Sequence, residues 1–76
     1  MKLPEIAGWI GVLLIFSAYV MISLGLIVAE NSIYNLMNLF GAAFIIWSSA
    51  AKKDFQPVAL NVMWLLVAII GLLKVL

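Results

Sequence analysis

The sequence predicts an all-α fold: a polytopic membrane protein, a bundle of three transmembrane helices. Three observations predict it. Hydrophobic residues make up 68% of the 76-residue chain and charged residues 9%, whereas a soluble domain averages about 25% charged residues. The charges divide the chain into three uncharged runs, Ile6–Ala29, Asn31–Ala51 and Phe55–Leu73. Each is near the roughly 20 residues that a helix needs to cross the hydrocarbon. A water-soluble domain of this size buries only about 60% of its unfolded surface, too little to cover so many apolar side chains.

Helix is the only element open to these runs, because a lone strand in lipid leaves its backbone groups unpaired. Residues 1–76 read as one transmembrane domain with helices at about 5–29, 32–52 and 56–74. In the first, Pro4 suits a first turn, where its missing N–H costs nothing, and Glu5 sits at the positive end of the helix dipole. The uncharged run that follows Met1 and Lys2 is too long for the apolar core of a signal peptide and reads as a retained span. In the second, Asn31 or Ser32 can cap the start, and Lys52 and Lys53 lie at the negative end. In the third, Asp54 or Gln56 can cap, Pro57 falls in the first turn and Lys74 closes the helix. Every charge thus marks a helix terminus at the membrane interface. Connections around Glu30 and at residues 52–56 are short, so consecutive helices run antiparallel.

Several function classes are excluded by what the chain lacks. It has no Cys and no His, which removes disulfides, thiolate nucleophiles and Cys–metal sites. No acid–base pair, metal constellation or phosphate loop is present, so the expectation is a protein that is not an enzyme and holds no metal or cofactor. No Asp, Glu, Lys, Arg or His lies inside a span, whereas proton relays and ion-coupled pumps place such groups at membrane depth. A net charge of +1 gives no reason to expect nucleic acid as a partner. The positive-inside rule sets Lys2, Lys52 and Lys53 against Lys74 alone. It places a multi-pass protein in the cytoplasmic (inner) membrane with its N-terminus in the cytoplasm.

Helical arithmetic at about 100° per residue assigns faces. In the first helix Ala7, Gly11, Ala18, Gly25 and Ala29 fall within about 40°, a stripe of small residues on which helices pack closely. In the second, Tyr34, Asn38, Gly41, Ala42, Ser48 and Ser49 cover about 120°, with Asn35 at the edge and Trp47 on the opposite side. In the third, Pro57, Asn61, Trp64, Ala68 and Gly71 share about 80°. Asn38 and Asn61 read either as interhelical glue or as polar groups lining a solute pocket. The neighbouring Trp64 favours the pocket for Asn61, and Tyr19 is a further candidate whose hydroxyl suits packing better. Three helices in a triangle meet along one filled seam, so any pathway must lie between protomers.

The run Gly8-Trp9-Ile10-Gly11, then Ser17-Ala18-Tyr19, Asn38-Leu39 with Gly41-Ala42, and Asn61 with Trp64 and Ala68, resembles an uncharacterised family of three-helix bacterial inner-membrane domains. The chain is also distantly similar to the SemiSWEET, or PQ-loop, half-transporters, whose three-helix units dimerise in parallel around a sugar pathway. In those a Trp on helix two and an Asn on helix three face the pocket, and Trp47 and Asn61 are the nearest matches, with Pro57 just before helix three. The Pro-Gln pair that hinges helix one there is missing, Trp47 lies opposite Asn38, and the first loop is acidic rather than basic. What the resemblance implies is a homodimeric half-transporter, with Asn61 as the residue carried over, and the lack of charge within the spans makes its expected solute small and neutral. The alternative expectation is a structural or accessory subunit packing against a larger membrane-protein partner. In both, the lipid bilayer is the solvent.

Overall fold

The computed structural model describes residues 2–28 and 31–75. The protein is a three-helix bundle, with 86% of the described residues helical and no strand among them. Its helices are α1 (Leu3–Ser23), α2 (Ser32–Ala51) and α3 (Phe55–Val75). All three are long and apolar enough to cross a membrane.

Local chemistry sets most of the boundaries. Pro4 lies at the start of α1 and Glu5 in its first turn. The Asn31 side chain caps α2 by accepting the Ile33 N–H at 2.8 Å, and Lys74 sits in the last turn of α3. The end of α1 departs from expectation: the helix stops at Ser23 instead of running to residue 29. Gly25 takes φ +74°. Its N–H donates to the Ile22 carbonyl at 3.2 Å, and the Leu26 N–H reaches back to the Met21 carbonyl at 2.9 Å. This paired closure around a left-handed residue satisfies the last carbonyls of a helix and stops it. Gly25 therefore does not belong to the small-residue stripe. It is exposed, with open space where a Cβ would stand. Ala29, counted in the same stripe, lies outside the described residues.

The arrangement is not a triangle. Helix α2 packs against both α1 and α3, but no Cα of α1 comes within 8 Å of a Cα of α3 among the described residues. The middle helix therefore carries two interfaces, and the composition of its buried face follows: Asn35, Asn38, Gly41, Ala42, Ser48 and Ser49. Side chains this small or polar let two neighbours approach one helix at once.

At the α1–α2 crossing the backbones touch. A Cβ added to Gly11 would lie 2.6 Å from the Gly41 carbonyl oxygen and 2.8 Å from Ile45 Cγ1. A Cβ on Gly41 would lie 2.6 Å from Ile15 Cγ1 and 3.0 Å from the Gly11 carbonyl oxygen. Ala7 and Ala18 flank this crossing on α1 and are buried. Between helices in lipid, where there is no hydrophobic drive, close packing of this kind is what attracts.

The crossing makes a stability prediction. Gly11→Ala should cost about 1–3 kcal/mol, as overpacking of a filled interface does, and Gly11→Leu or Ala18→Leu should cost more. Ala43→Leu, at an exposed position of α2, should change little. Thermal unfolding in detergent, followed by helicity, is the measurement. Equal stability of all four variants would mean that the glycine faces open space.

Candidate functional site

The polar residues of the second and third helices converge on two places, and they do different work. The first is the α2–α3 seam. The Trp64 indole Nε1–H donates to Asn38 Oδ1 at 3.2 Å. An indole N–H can only donate, so it must meet the amide oxygen. That choice turns Asn38 Nδ2 to its own helix, where it donates to the Tyr34 carbonyl at 3.0 Å. Asn38 is buried, and its oxygen and nitrogen each have a partner. It reads as a tie between helices. About one turn back along α2 Asn35 is buried as well; its Nδ2 donates to the Asn31 carbonyl at 3.1 Å. Its amide packs directly on Gly71, which leaves no room for a Cβ there.

The second place is an open groove between α1 and α3, floored by α2. Ile15, Ile45, Leu60, Asn61 and Trp64 line it, and it holds about 300 Å³. Asn61 is 8% exposed and bonds to neither Asn38 nor Ser48. Its Nδ2 donates to the Pro57 carbonyl one turn back, at 2.8 Å. Its Oδ1 accepts no hydrogen bond among the described residues. No fully covered side-chain oxygen there lacks a partner, so this oxygen is reachable from the surface. The groove thus offers one amide acceptor on an otherwise apolar wall. Trp64, 45% exposed, serves both places: its ring faces the groove and its N–H ties the seam.

The remaining residues singled out by sequence stand elsewhere. Tyr19 is exposed on α1, and Trp47 is exposed on α2, away from both places. Helix arithmetic put Asn38, Asn61 and Trp64 on inward faces, but pairing Asn38 with Trp64 and not with Asn61 depends on the register of α2 against α3.

A third feature had no signal in the sequence beyond its separate parts. Glu5, Gly8, Trp9, Val12, Ile45, Ser48, Ser49 and Lys52 line a cleft of about 260 Å³ at the α1 start and α2 end. Each charge had a sufficient explanation as a helix-end residue, so nothing in the chain order joined them. Among the described residues no group of three or more acidic, His or Cys side chains is placed to hold a metal.

The comparisons with known proteins bear on the fold. Residues 4–76 match an uncharacterised family of three-helix proteins, and the chain belongs to that family. No curated protein and no solved structure matches it, and no link to the SemiSWEET half-transporters emerges.

The seam makes its own prediction. Trp64→Phe keeps the ring and removes the N–H, and should cost about 0.6 kcal/mol, up to about 1.7, the range for hydrogen bonds between membrane helices. Asn61→Leu should cost less, since that amide bonds only within its own helix. A double-mutant cycle of Trp64→Phe with Asn38→Leu should show coupling. Additive effects would mean the two side chains do not bond.

Proposed function

We propose that the chain is a polytopic protein of the bacterial inner membrane that works as half of a two-fold assembly. In this reading it carries a small neutral solute along the groove between protomers. One observation carries the reading. Helices α1 and α3 stay apart, leaving an open groove with the unpartnered Asn61 oxygen on its wall. One chain encloses no passage, and a second copy facing the groove would convert it into one. The oxygen accepts a hydroxyl or N–H from the solute, and Trp64 supplies a flat apolar wall. The absence of Asp, Glu, Lys, Arg and His from the three uncharged runs fits a solute without charge.

A second reading is supported by the rest of the lining. Ile15, Ile45, Leu60 and Trp64 suit the side of a partner's transmembrane helix as well as a solute, and the chain is then an accessory subunit of a larger complex. Native mass spectrometry in detergent separates the two: a homodimer supports the half-transporter, and a monomer that is captured only with a heterologous subunit supports the accessory role.

The solute is tested by thermal shift. A neutral, donor-bearing solute that binds the groove should raise the melting temperature with concentration, and Asn61→Leu should remove that shift while keeping the fold. A shift that survives Asn61→Leu places the solute elsewhere. The orientation is tested separately. A reporter fused after Leu76 should be active only outside the cytoplasm, as Lys2, Lys52 and Lys53 on one side require; cytoplasmic activity reverses the topology.

A further inference from the structure

The cleft between the start of α1 and the end of α2 has the makings of a binding site for a charged pair. Glu5 supplies a carboxylate and Lys52 an ammonium, and both line the same 260 Å³ space. Neither is in an ion pair among the described residues. Two serines line the cleft beside them. Ser48 is 5% and Ser49 9% exposed, and neither side chain makes a hydrogen bond among the described residues. No fully covered side-chain oxygen lacks a partner among the described residues, so both hydroxyls are reachable from the space between these opposite charges. Gly8 forms the back wall: a Cβ there would lie 2.9 Å from Ser48 Cβ, so the backbone of α1 sits directly against Ser48. Trp9 and Val12, both exposed, form an apolar flank.

The separate charges are explained by their own helices, Glu5 by the positive end of α1 and Lys52 by the negative end of α2. That explanation does not reach the hydroxyls. A ligand that accounts for all four groups has a primary ammonium for Glu5 and an anionic phosphate for Lys52, Ser48 and Ser49. The cleft lies at the ends of two helices long enough to cross a membrane, the depth at which lipid headgroups lie. We propose that it binds the headgroup of a phospholipid bearing a primary amine, of the phosphoethanolamine type, with the upper acyl chain against Trp9 and Val12. This rests on the membrane reading above but not on the solute or the groove. A headgroup held here would fasten α1 to α2 at the membrane surface.

The test is native mass spectrometry of the full chain in detergent. It is titrated with phosphatidylethanolamine, phosphatidylcholine and phosphatidylglycerol of identical acyl chains. Phosphatidylethanolamine should bind about tenfold more tightly than either, the size of one charge-assisted hydrogen bond. Choline has no N–H to give Glu5, and glycerol has no cation. Glu5→Gln should abolish the preference over phosphatidylglycerol, and Ser48→Ala with Ser49→Ala should weaken all three lipids alike. Circular dichroism confirms that each variant remains helical; if Glu5→Gln does not fold, Glu5→Asp, which shortens the reach, should reduce the preference. Equal binding of the three lipids, or a preference untouched by Glu5→Gln, overturns the proposal. Free phosphoethanolamine that displaces the lipid at equal concentration also overturns it, since the site would then serve a soluble zwitterion. Failure of the membrane reading shows differently: the chain would then remain in solution without detergent or vesicles.

Discussion

The structure depends on one helix having two neighbours that do not meet. Among the described residues helix α2 alone packs on both α1 and α3, so its buried face must satisfy two helices at once. That constraint explains why the middle helix, and not the outer ones, carries most of the buried polar residues. Toward α1 it offers Gly41 and Ser48, where backbones approach within contact distance. Toward α3 it offers Asn35 and Asn38, where amides fill the space and bond. The outer helices need only one packed side and present Leu, Ile, Val and Met elsewhere, which suits lipid.

The same constraint creates both candidate sites. Holding α1 and α3 apart leaves the groove with Asn61 on its wall. Crossing α1 tightly over Gly41 brings Gly8 against Ser48, so the start of α1 stands over the end of α2, and Glu5 and Lys52 enter one cleft. Three asparagine amides illustrate how the groups are apportioned. In each of Asn35, Asn38 and Asn61 the nitrogen donates to the carbonyl four residues back. What remains for neighbours is the oxygen and the second N–H. Asn38 gives its oxygen to Trp64 and Asn35 packs its own on Gly71, while that of Asn61 stays open to the groove.

Much of this was legible in the chain. Charge spacing located three helices, and the starts at Pro4 and Asn31 follow from the chemistry of helix ends. The arithmetic of 100° per residue put Ala7, Gly11, Ala18 and Gly41 on buried faces. It failed at Gly25, because the apolar run continues through Leu26, Ile27 and Val28 and hydropathy alone does not register a stop. The signal was the glycine itself, a residue that readily takes the left-handed conformation that ends helices. The missing α1–α3 contact had no local signal, since both helices have an inward face and only packing decides what it meets. The Glu5–Lys52 cleft escaped for a similar reason: each residue was fully explained on its own helix, and their meeting is a property of the α1–α2 crossing.

The most direct test of this arrangement is oxidative crosslinking of introduced cysteine pairs, in a chain that has no cysteine of its own. A disulfide needs Cα atoms about 4.4–6.8 Å apart and Cβ atoms about 3.5–4.5 Å apart. A Cβ at position 8 would lie 2.9 Å from that of Ser48, so Gly8→Cys with Ser48→Cys should close an intramolecular bridge after a small adjustment. Ile15 and Leu60 face each other across the groove with Cα atoms more than 8 Å apart, so Ile15→Cys with Leu60→Cys should form none within one chain. Rapid intramolecular bridging of the second pair, with none in the first, would mean that α1 packs on α3, and the central place of α2 would be wrong.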